Sequence, residues 1–480
     1  MIREFIKSSS VYSVPSLISQ GISFLLIPIY TRILNPSDYG FLDLIIVFAT
    51  LANLTVPLQI SQGLAFFYGK EIDVARKKMY SSSALWFTIA SYSCFVLLSI
   101  TNANQLSIII MGSQAWLTAI QLGFLYIWSN GIFFLVQNQF RWELRSRQYV
   151  VVSLIMNLMT TGASLWLAFG YNMGLEGILI GKFVGNLVGI GLSLYWLHDS
   201  YLFHIDSKIL RELLYFSLPL VLAGISVWAN LYIDRLMINT ILTIEEVGIY
   251  GIGNRFSNLA STALIGFQLA LPPLVYNHYQ AEETPGHIAK ILNVYLALAL
   301  TIFLTLALLI DDILRIMTTS SFYSAADLII YLVPAVFLGQ MYIFAPGLVI
   351  SKKTNMVGVI NLGGALTNFG LNYFLIPRLG VKGAAIATLL SNSIIFTVLM
   401  ILSQKYYRIP YEWRSISVLV TIAGLFFLIL SNLFPSGRLV SIAIKVFGII
   451  LFVLVSNLFG ILNLKTIKSE LYLLISNKLS

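Results

Sequence analysis

Long apolar runs alternate with short polar gaps from one end of the chain to the other. Runs long enough to cross a bilayer, about 20 residues each, fall at 10–33, 41–61, 81–101, 116–137, 149–170, 174–197, 215–241, 249–275, 291–310, 323–347, 356–376, 381–402, 416–434 and 439–460. The pattern predicts an all-α polytopic membrane protein of about fourteen transmembrane helices. The longest gaps, near 200–214 and 276–290, are too short to fold as soluble domains. Function is therefore expected to reside in the helix bundle.

Composition agrees. The 480 residues are 58% hydrophobic and 10% charged, against about 25% charged in soluble chains. The apolar excess must face lipid rather than fill one core. The only cysteine, Cys94, excludes a disulfide framework within the chain and a cysteine metal site. The formal charge is +9, yet the basic residues fall in the gaps, so topology explains them better than nucleic acid does. The segment from Met1 to Lys7 leads into an apolar run reaching Tyr30, too long for a signal-peptide core, and is read as an uncleaved first helix. With a cytoplasmic N-terminus, 20 of the 29 Lys and Arg fall in inside segments. That bias puts both termini in the cytoplasm and requires an even number of spans.

An internal repeat sets the expected architecture. Gly174-Leu175-Glu176-Gly177 matches Gly380-Val381-Lys382-Gly383, an offset of 206 residues, and at that offset Asn186 falls on Asn392. Ser13-Val14-Pro15 resembles Ser217-Leu218-Pro219, Thr31-Arg32 resembles Asp234-Arg235, and Asp38-Tyr39-Gly40-Phe41 resembles Glu246-Val247-Gly248-Ile249. Six spans separate the copies, so the repeats are parallel. The expected organisation is an N-terminal lobe, 1–212, a C-terminal lobe, 213–404, and residues 405–480 carrying the last two spans and a cytoplasmic C-terminus. The two six-helix lobes are expected to flank a central cavity, as alternating access requires.

These motifs resemble a known family. Phe24 to Gly40, with Pro28, Thr31-Arg32, Asn35-Pro36 and Asp38-Tyr39-Gly40, is similar to the opening of polysaccharide-biosynthesis flippases. These are the O-antigen (Wzx-type) exporters of the MOP superfamily. Asp234-Arg235 with Val247 to Tyr250, and Asn368, Asn372, Ile376 to Gly380 and Gly383 to Thr388, resemble the same family. The resemblance implies a MATE/MOP-like fold in a bacterial inner membrane. It implies outward flipping of an undecaprenyl-pyrophosphate-linked glycan for O-antigen, lipopolysaccharide or a related surface polysaccharide. Bilayer lipids, and the polymerase and chain-length proteins of such a pathway, are the expected partners.

Several residues are candidates for that work. Lys182 lies in span six, whose Gly177, Gly181, Gly185 and Gly189 form a stripe for close helix packing. An ammonium in hydrocarbon is costly, so Lys182 either meets water and an anion or snorkels to the interface. Arg255, with Asn258 and Thr262 on one face, could hold a phosphate bidentately or anchor at the interface. Arg32, Asp234 and Arg235 close spans one and seven: Arg32 and Arg235 are further candidate cavity cations for the substrate and Asp234 a candidate gate or ion-coupling group, or Asp234 and Arg235 form a structural acid–base pair. Asp43, with Thr50 and Asn53 on its face, could carry a coupling ion or be a solvated helix start. Asn186, Asn258 and Asn392 are candidate glycan contacts. Pro15, Pro28, Pro272 and Pro273 are candidate hinges or static kinks. The basic clusters Lys70 to Lys78 and Arg141 to Arg147 fit topology and anionic lipid, or attraction of a pyrophosphate to the entrance.

An enzyme is not expected. His198, His204, His278 and His287 lack metal-ligand spacing, and no phosphate-binding Gly-Lys-Ser/Thr loop is present. No cofactor is called for beyond a proton or sodium ion as the coupling ion. The nearest rival is a MATE-type multidrug or cation antiporter, which prefers an anionic cavity. A glycan polymerase or ligase would need a sizeable external loop.

Overall fold

The computed structural model describes residue 18, residues 20–433 and residues 438–458. The expectations for Arg3, Lys7, Pro15 and Lys465, Lys468 and Lys478, and the first part of the run 10–33, lie outside the described residues. Within them the chain is an all-helical polytopic membrane protein. Twelve helices are long and apolar enough to cross a bilayer. A bent pair, Ile244–Thr262 and Ile265–His278, makes a thirteenth.

The chain divides into two compact units, Met1–Gly248 and Ile249–Ser480. The first contains α1 (Ile27–Ile33), α2 (Pro36–Thr55), α3 (Ile60–Lys70), α4 (Val74–Thr101), α5 (Leu117–Trp142), α6 (Ser146–Leu165), α7 (Gly174–Trp196) and α8 (Ser207–Ile241). It closes on the first turn of α9 (Ile244–Thr262). The sequence repeat starts its second copy at 213, whereas the first unit continues to Gly248, because α8 lies along α2, α3 and α4.

The second unit holds the rest of α9, α10 (Ile265–His278), α11 (Thr284–Met317), α12 (Ala326–Gln340), α13 (Thr354–Leu379), α14 (Val381–Tyr406), α15 (Trp413–Ser431) and α16 (Arg438–Leu458). The last two helices, outside the repeat, pack on α11: Leu304 and Leu308 meet Leu419, Ala423 and Phe452. Arg438 Nε caps the contact on Asp312 Oδ1 at 2.7 Å.

Span two is discontinuous. The apolar run predicts one helix over 41–61, but α2 begins at Pro36 behind a capping box, in which Asn35 accepts from Asp38 N–H. The helix stops at Thr55 and restarts at Ile60. Leu58 and Gln59 between them have φ of 50° and 56°, a left-handed conformation disfavoured for side chains of this size. Pro57 has no N–H to continue the ladder. Irregular backbone at membrane depth survives only where protein or water satisfies it, and here α8 covers it: Gly224 abuts the Gln59 amide. The 48° bend in the α9–α10 pair lies between Thr262 and Ile265, ahead of Pro272 and Pro273 rather than at them.

The glycine stripe of α7 is packing surface. A Cβ on Gly177 would stand 2.7 Å from Ala168 N, and one on Gly181 or Gly185 would collide with Ser164 or Thr160. Backbone-to-backbone approach replaces side-chain interdigitation, as small residues allow between helices in lipid. A second close approach joins the two segments matched by the repeat. A Cβ on Gly40 would collide with the Ile244 carbonyl and stand 3.0 Å from Gly248 N; one on Gly248 would collide with the Pro36 carbonyl and stand 3.0 Å from Gly40 N. Ser37 donates to Glu245 Oε1 at 2.5 Å across the same contact. The contact is reciprocal, so these segments are related by a local twofold.

A buried ion pair locks α8 to α2: Arg235 Nε donates to Asp43 Oδ2 at 2.7 Å, with both residues less than 10% exposed.

Two outcomes are expected. Gly185→Leu should cost roughly 1–3 kcal/mol or more through overpacking, read as a lowered thermal midpoint of the detergent-solubilised protein. Gly191→Leu, which has open space around its Cβ, should leave the midpoint nearly unchanged; equal losses would show that the stripe is not packing surface. Asp43→Leu or Arg235→Met alone should each cost about 3–5 kcal/mol by stranding a buried charge. The double substitution should recover most of that loss in the same assay.

Candidate functional site

Polar residues inside the spans are rare and costly, so their placement defines what the helices can do. In the first unit three groups hold the candidate residues. The first surrounds the Asp43–Arg235 pair. Arg235 also donates through Nη1 to Leu231 O at 3.0 Å, and its guanidinium carbon lies 5.3 Å from the centre of the Tyr232 ring. Asp234 is beside it and 3% exposed. The interval of 192 residues between Asp43 and Arg235 hides this pairing from any local reading. Asp43 therefore sits in a buried salt bridge, not at a solvated helix start. Arg32 lies apart, exposed, folded back on Pro28 O at 3.0 Å.

The second group lies below, where α2 approaches its break. Tyr92 O–H donates to Asn53 Oδ1 at 2.6 Å, and Asn53 Nδ2 donates to Asn130 Oδ1 at 3.2 Å. Trp228 Nε1 donates to Thr50 Oγ1 at 3.1 Å and to Val47 O at 3.2 Å. Helices α2, α4, α5 and α8 are thus tied by uncharged hydrogen bonds. Gly131 gives the Tyr92 ring its place, since a Cβ there would fall within the ring. Sequence reading placed Thr50 and Asn53 on the Asp43 face but had no signal for Tyr92, Asn130 or Trp228.

The third group is on α7. The Lys182 ammonium lies 5.4 Å from the centre of the buried Tyr126 ring. One turn on, Asn186 donates to Ser129 Oγ at 3.1 Å and is 3% exposed. Lys182 is half-buried, and both residues face α5.

The second unit repeats part of this arrangement. Asn392 Nδ2 donates to Ala335 O at 2.9 Å. Asn392 stands 206 residues after Asn186, and Ala335 stands 206 residues after Ser129. The same asparagine bolt therefore joins α7 to α5 and α14 to α12. Arg255 is half-buried on α9, while Asn258 is exposed and donates through Nδ2 to Asn254 Oδ1 at 3.2 Å. Elsewhere in this unit, Asn372 Nδ2 donates to the Asn368 side chain at 2.9 Å, and Tyr250 O–H lies 3.4 Å from Thr388 Oγ1. Asn368, Asn372 and Thr388 were visible in the sequence only as motif positions.

Among the described residues no group of three or more His, Cys, Asp or Glu is placed to hold a metal ion. Among the described residues Lys182 lies against a ring face, and Arg235 lies against a ring face and the Asp43 carboxylate. Such an arrangement can bind an anion without a metal, since a guanidinium matches a phosphate bidentately.

The comparisons agree with these observations. The family described as "Polysaccharide biosynthesis protein" matches residues 5–276. No curated protein matches the sequence. Among solved structures, the lipid II flippase MurJ in an inward closed conformation superposes with a TM-score of 0.67 at 15% identity, covering 94% of this chain and 98% of that one. An inward-facing multidrug resistance MATE family transporter of the MOP superfamily gives 0.66 at 15% identity, covering 83% and 97%. The Vibrio cholerae MATE transporter VcmN, as its D35N mutant, gives 0.56 at 13% identity, covering 83% and 97%. The fold is that shared by MurJ and the MATE transporters, and the chain belongs to the polysaccharide biosynthesis protein family.

Proposed function

We propose that this protein is a flippase that carries an undecaprenyl-pyrophosphate-linked oligosaccharide repeat unit from the cytoplasmic to the periplasmic leaflet by alternating access. The family match supports a role in polysaccharide synthesis, and the fold supports transport. The observation that carries the anionic substrate is the charge balance inside the spans. The Asp43 carboxylate is neutralised by Arg235 at 2.7 Å, while the Lys182 ammonium lies 5.4 Å from the centre of the Tyr126 ring. A pyrophosphate would complement the Lys182 ammonium, while Asp43 is held by Arg235 rather than offered to an organic cation.

In this reading Lys182 and Arg255 meet the pyrophosphate, with Arg32 as an outer contact on the release side. The exposed Asn258 suits sugar hydroxyls better than Asn186 and Asn392, whose amides bolt helices together. Asp43 and Arg235 act as a gate, since breaking the pair would remove the charged contact between α8 and α2. Asp234 is the candidate carboxylate for a coupling proton or sodium ion. Each negative charge moving outward gains about 2.3 kcal/mol per 100 mV of inside-negative potential, which favours export of a pyrophosphate. The protein would lie in a bacterial inner membrane with both termini cytoplasmic and deliver repeat units to a polymerase and chain-length partner of the same pathway.

A MATE-type multidrug antiporter is the second reading, favoured by the MATE structures among its neighbours. Lys182→Ala and Arg255→Ala should each abolish surface glycan while leaving protein abundance unchanged, measured by glycan blotting and membrane quantification in a strain lacking the native gene. Normal glycan in both variants removes these site residues. Efflux of a cationic dye by the wild type, with surface glycan intact in its absence, would replace the flippase reading with the antiporter.

A further inference from the structure

A groove of about 560 Å³ lies where α3 runs against the first turns of α8, lined by Phe67, Lys208, Arg211, Glu212, Tyr215 and Phe216. Its volume is within the range of about 300–1,000 Å³ usual for small-molecule sites. Gly63 creates it. A Cβ there would stand 2.8 Å from the Leu213 carbonyl, so the two backbones touch at that level and leave space one turn further on.

The wall of the groove is aromatic and self-supporting. Phe216 stacks on Phe66 with centroids 4.6 Å apart and meets Phe67 edge-on at 5.7 Å. Phe67 in turn stacks on Tyr80 at 5.6 Å. Rings held by one another do not collapse into the space beside them. Lys208, Arg211 and Tyr215 follow at i, i+3 and i+7 on one face of α8, and all three are exposed. The Lys70 ammonium adds a further cation, 4.8 Å from the centre of the Phe66 ring. Asp206 is turned to its own helix end, accepting from Lys208 N–H at 2.8 Å and Ile209 N–H at 3.1 Å. Those bonds hold its carboxyl below the usual carboxylate range. Glu212 is the one acid in the lining, and Tyr80 O–H donates to its Oε2 at 2.8 Å.

We propose that this groove binds the glycosyl pyrophosphate headgroup of an isoprenoid-linked sugar. The assignment rests on the flippase reading and adds a docking subsite to it. Lys208 and Arg211 take the phosphate oxygens, the guanidinium bidentately. The Glu212 carboxylate, fixed by Tyr80, accepts from a sugar hydroxyl, and the aromatic wall receives the ring face. A bare phosphate would find the carboxylate repulsive, so the lining fits an anion that carries hydroxyls. Leu218 and Leu222 continue the Lys208–Tyr215 side of α8 as exposed apolar residues, a path for the isoprenoid chain.

The test uses the full-length protein in detergent micelles, titrated by native mass spectrometry. The probes are farnesyl pyrophosphate and farnesyl-pyrophosphoryl-N-acetylglucosamine; the competitors are inorganic pyrophosphate and dioleoylphosphatidylglycerol. Lys208→Ala with Arg211→Ala should remove one bound probe molecule per protein for both probes, leaving the Lys182–Arg255 site loaded. Glu212→Gln keeps an acceptor for Tyr80 and should weaken only the glycosylated probe. Thermal midpoints equal to wild type establish that the variants are folded. Undiminished binding in the folded double variant overturns the groove while leaving the flippase reading standing. Displacement of the glycosylated probe by equimolar phosphatidylglycerol would make the groove an anionic-lipid site and overturn it as well. A wild-type protein that binds neither isoprenoid probe removes both readings.

Discussion

Hydrocarbon offers no hydrogen-bond partner, so each polar atom carried into a span must find one in the protein. That constraint organises this chain. Asp43 and Arg235 neutralise each other, Trp228 closes on Thr50 and Val47, and Tyr92, Asn53 and Asn130 form a chain of donors and acceptors. Each contact crosses between helices, because a partner on the same helix would leave the helices free to slide. Without a hydrophobic force between helices in lipid, these bonds and the glycine contacts determine which helices touch and at what level.

The same constraint explains what the sequence reveals and what it hides. Apolar runs disclose the spans, since length and hydropathy are properties of one helix. The glycine spacing of α7 discloses a packing face for the same reason. Partnership is a property of two helices, and local pattern does not carry it. Asn186 and Asn392 therefore read as groups awaiting a sugar, although Ser129 and the Ala335 carbonyl take their amides. The repeat did contain the clue: a polar residue kept at the same place in both copies, opposite positions that also correspond, marks a shared helix contact. Asp43 looked like a helix start because its arginine is 192 residues away. The break in span two was equally hidden, for Leu58 and Gln59 are not residues that announce a left-handed backbone.

The Gly40–Gly248 contact shows how a repeat constrains its own sequence. Where equivalent positions meet on a local twofold, any side chain is met by its counterpart, so a bulky residue would be paid for twice. Glycine at both positions lets each backbone reach the carbonyl region of the other. The neighbouring polar pair, Ser37 with Glu245, is also formed by corresponding positions, but the copies have diverged into a donor and an acceptor. At a symmetric contact two identical acids would repel each other, whereas serine facing glutamate forms a hydrogen bond.

Charge placement follows from the same economy and bears on the substrate. A buried carboxylate facing a cation of similar depth offers little net field to a passing ligand, because the opposite charges cancel within a few ångströms. Cations on aromatic faces are different: the ring quadrupole holds the charge weakly and does not cancel it. Lys182 over Tyr126, and Lys70 over Phe66 at the edge of the α3–α8 groove, are held in this way. A molecule that is anionic at its headgroup and apolar in its tail can use both features, meeting the cations with its phosphates while its chain remains in the medium that the exposed leucines of α8 already face. The arrangement of these few charges, more than their number, therefore sets which ligands the helices can attract.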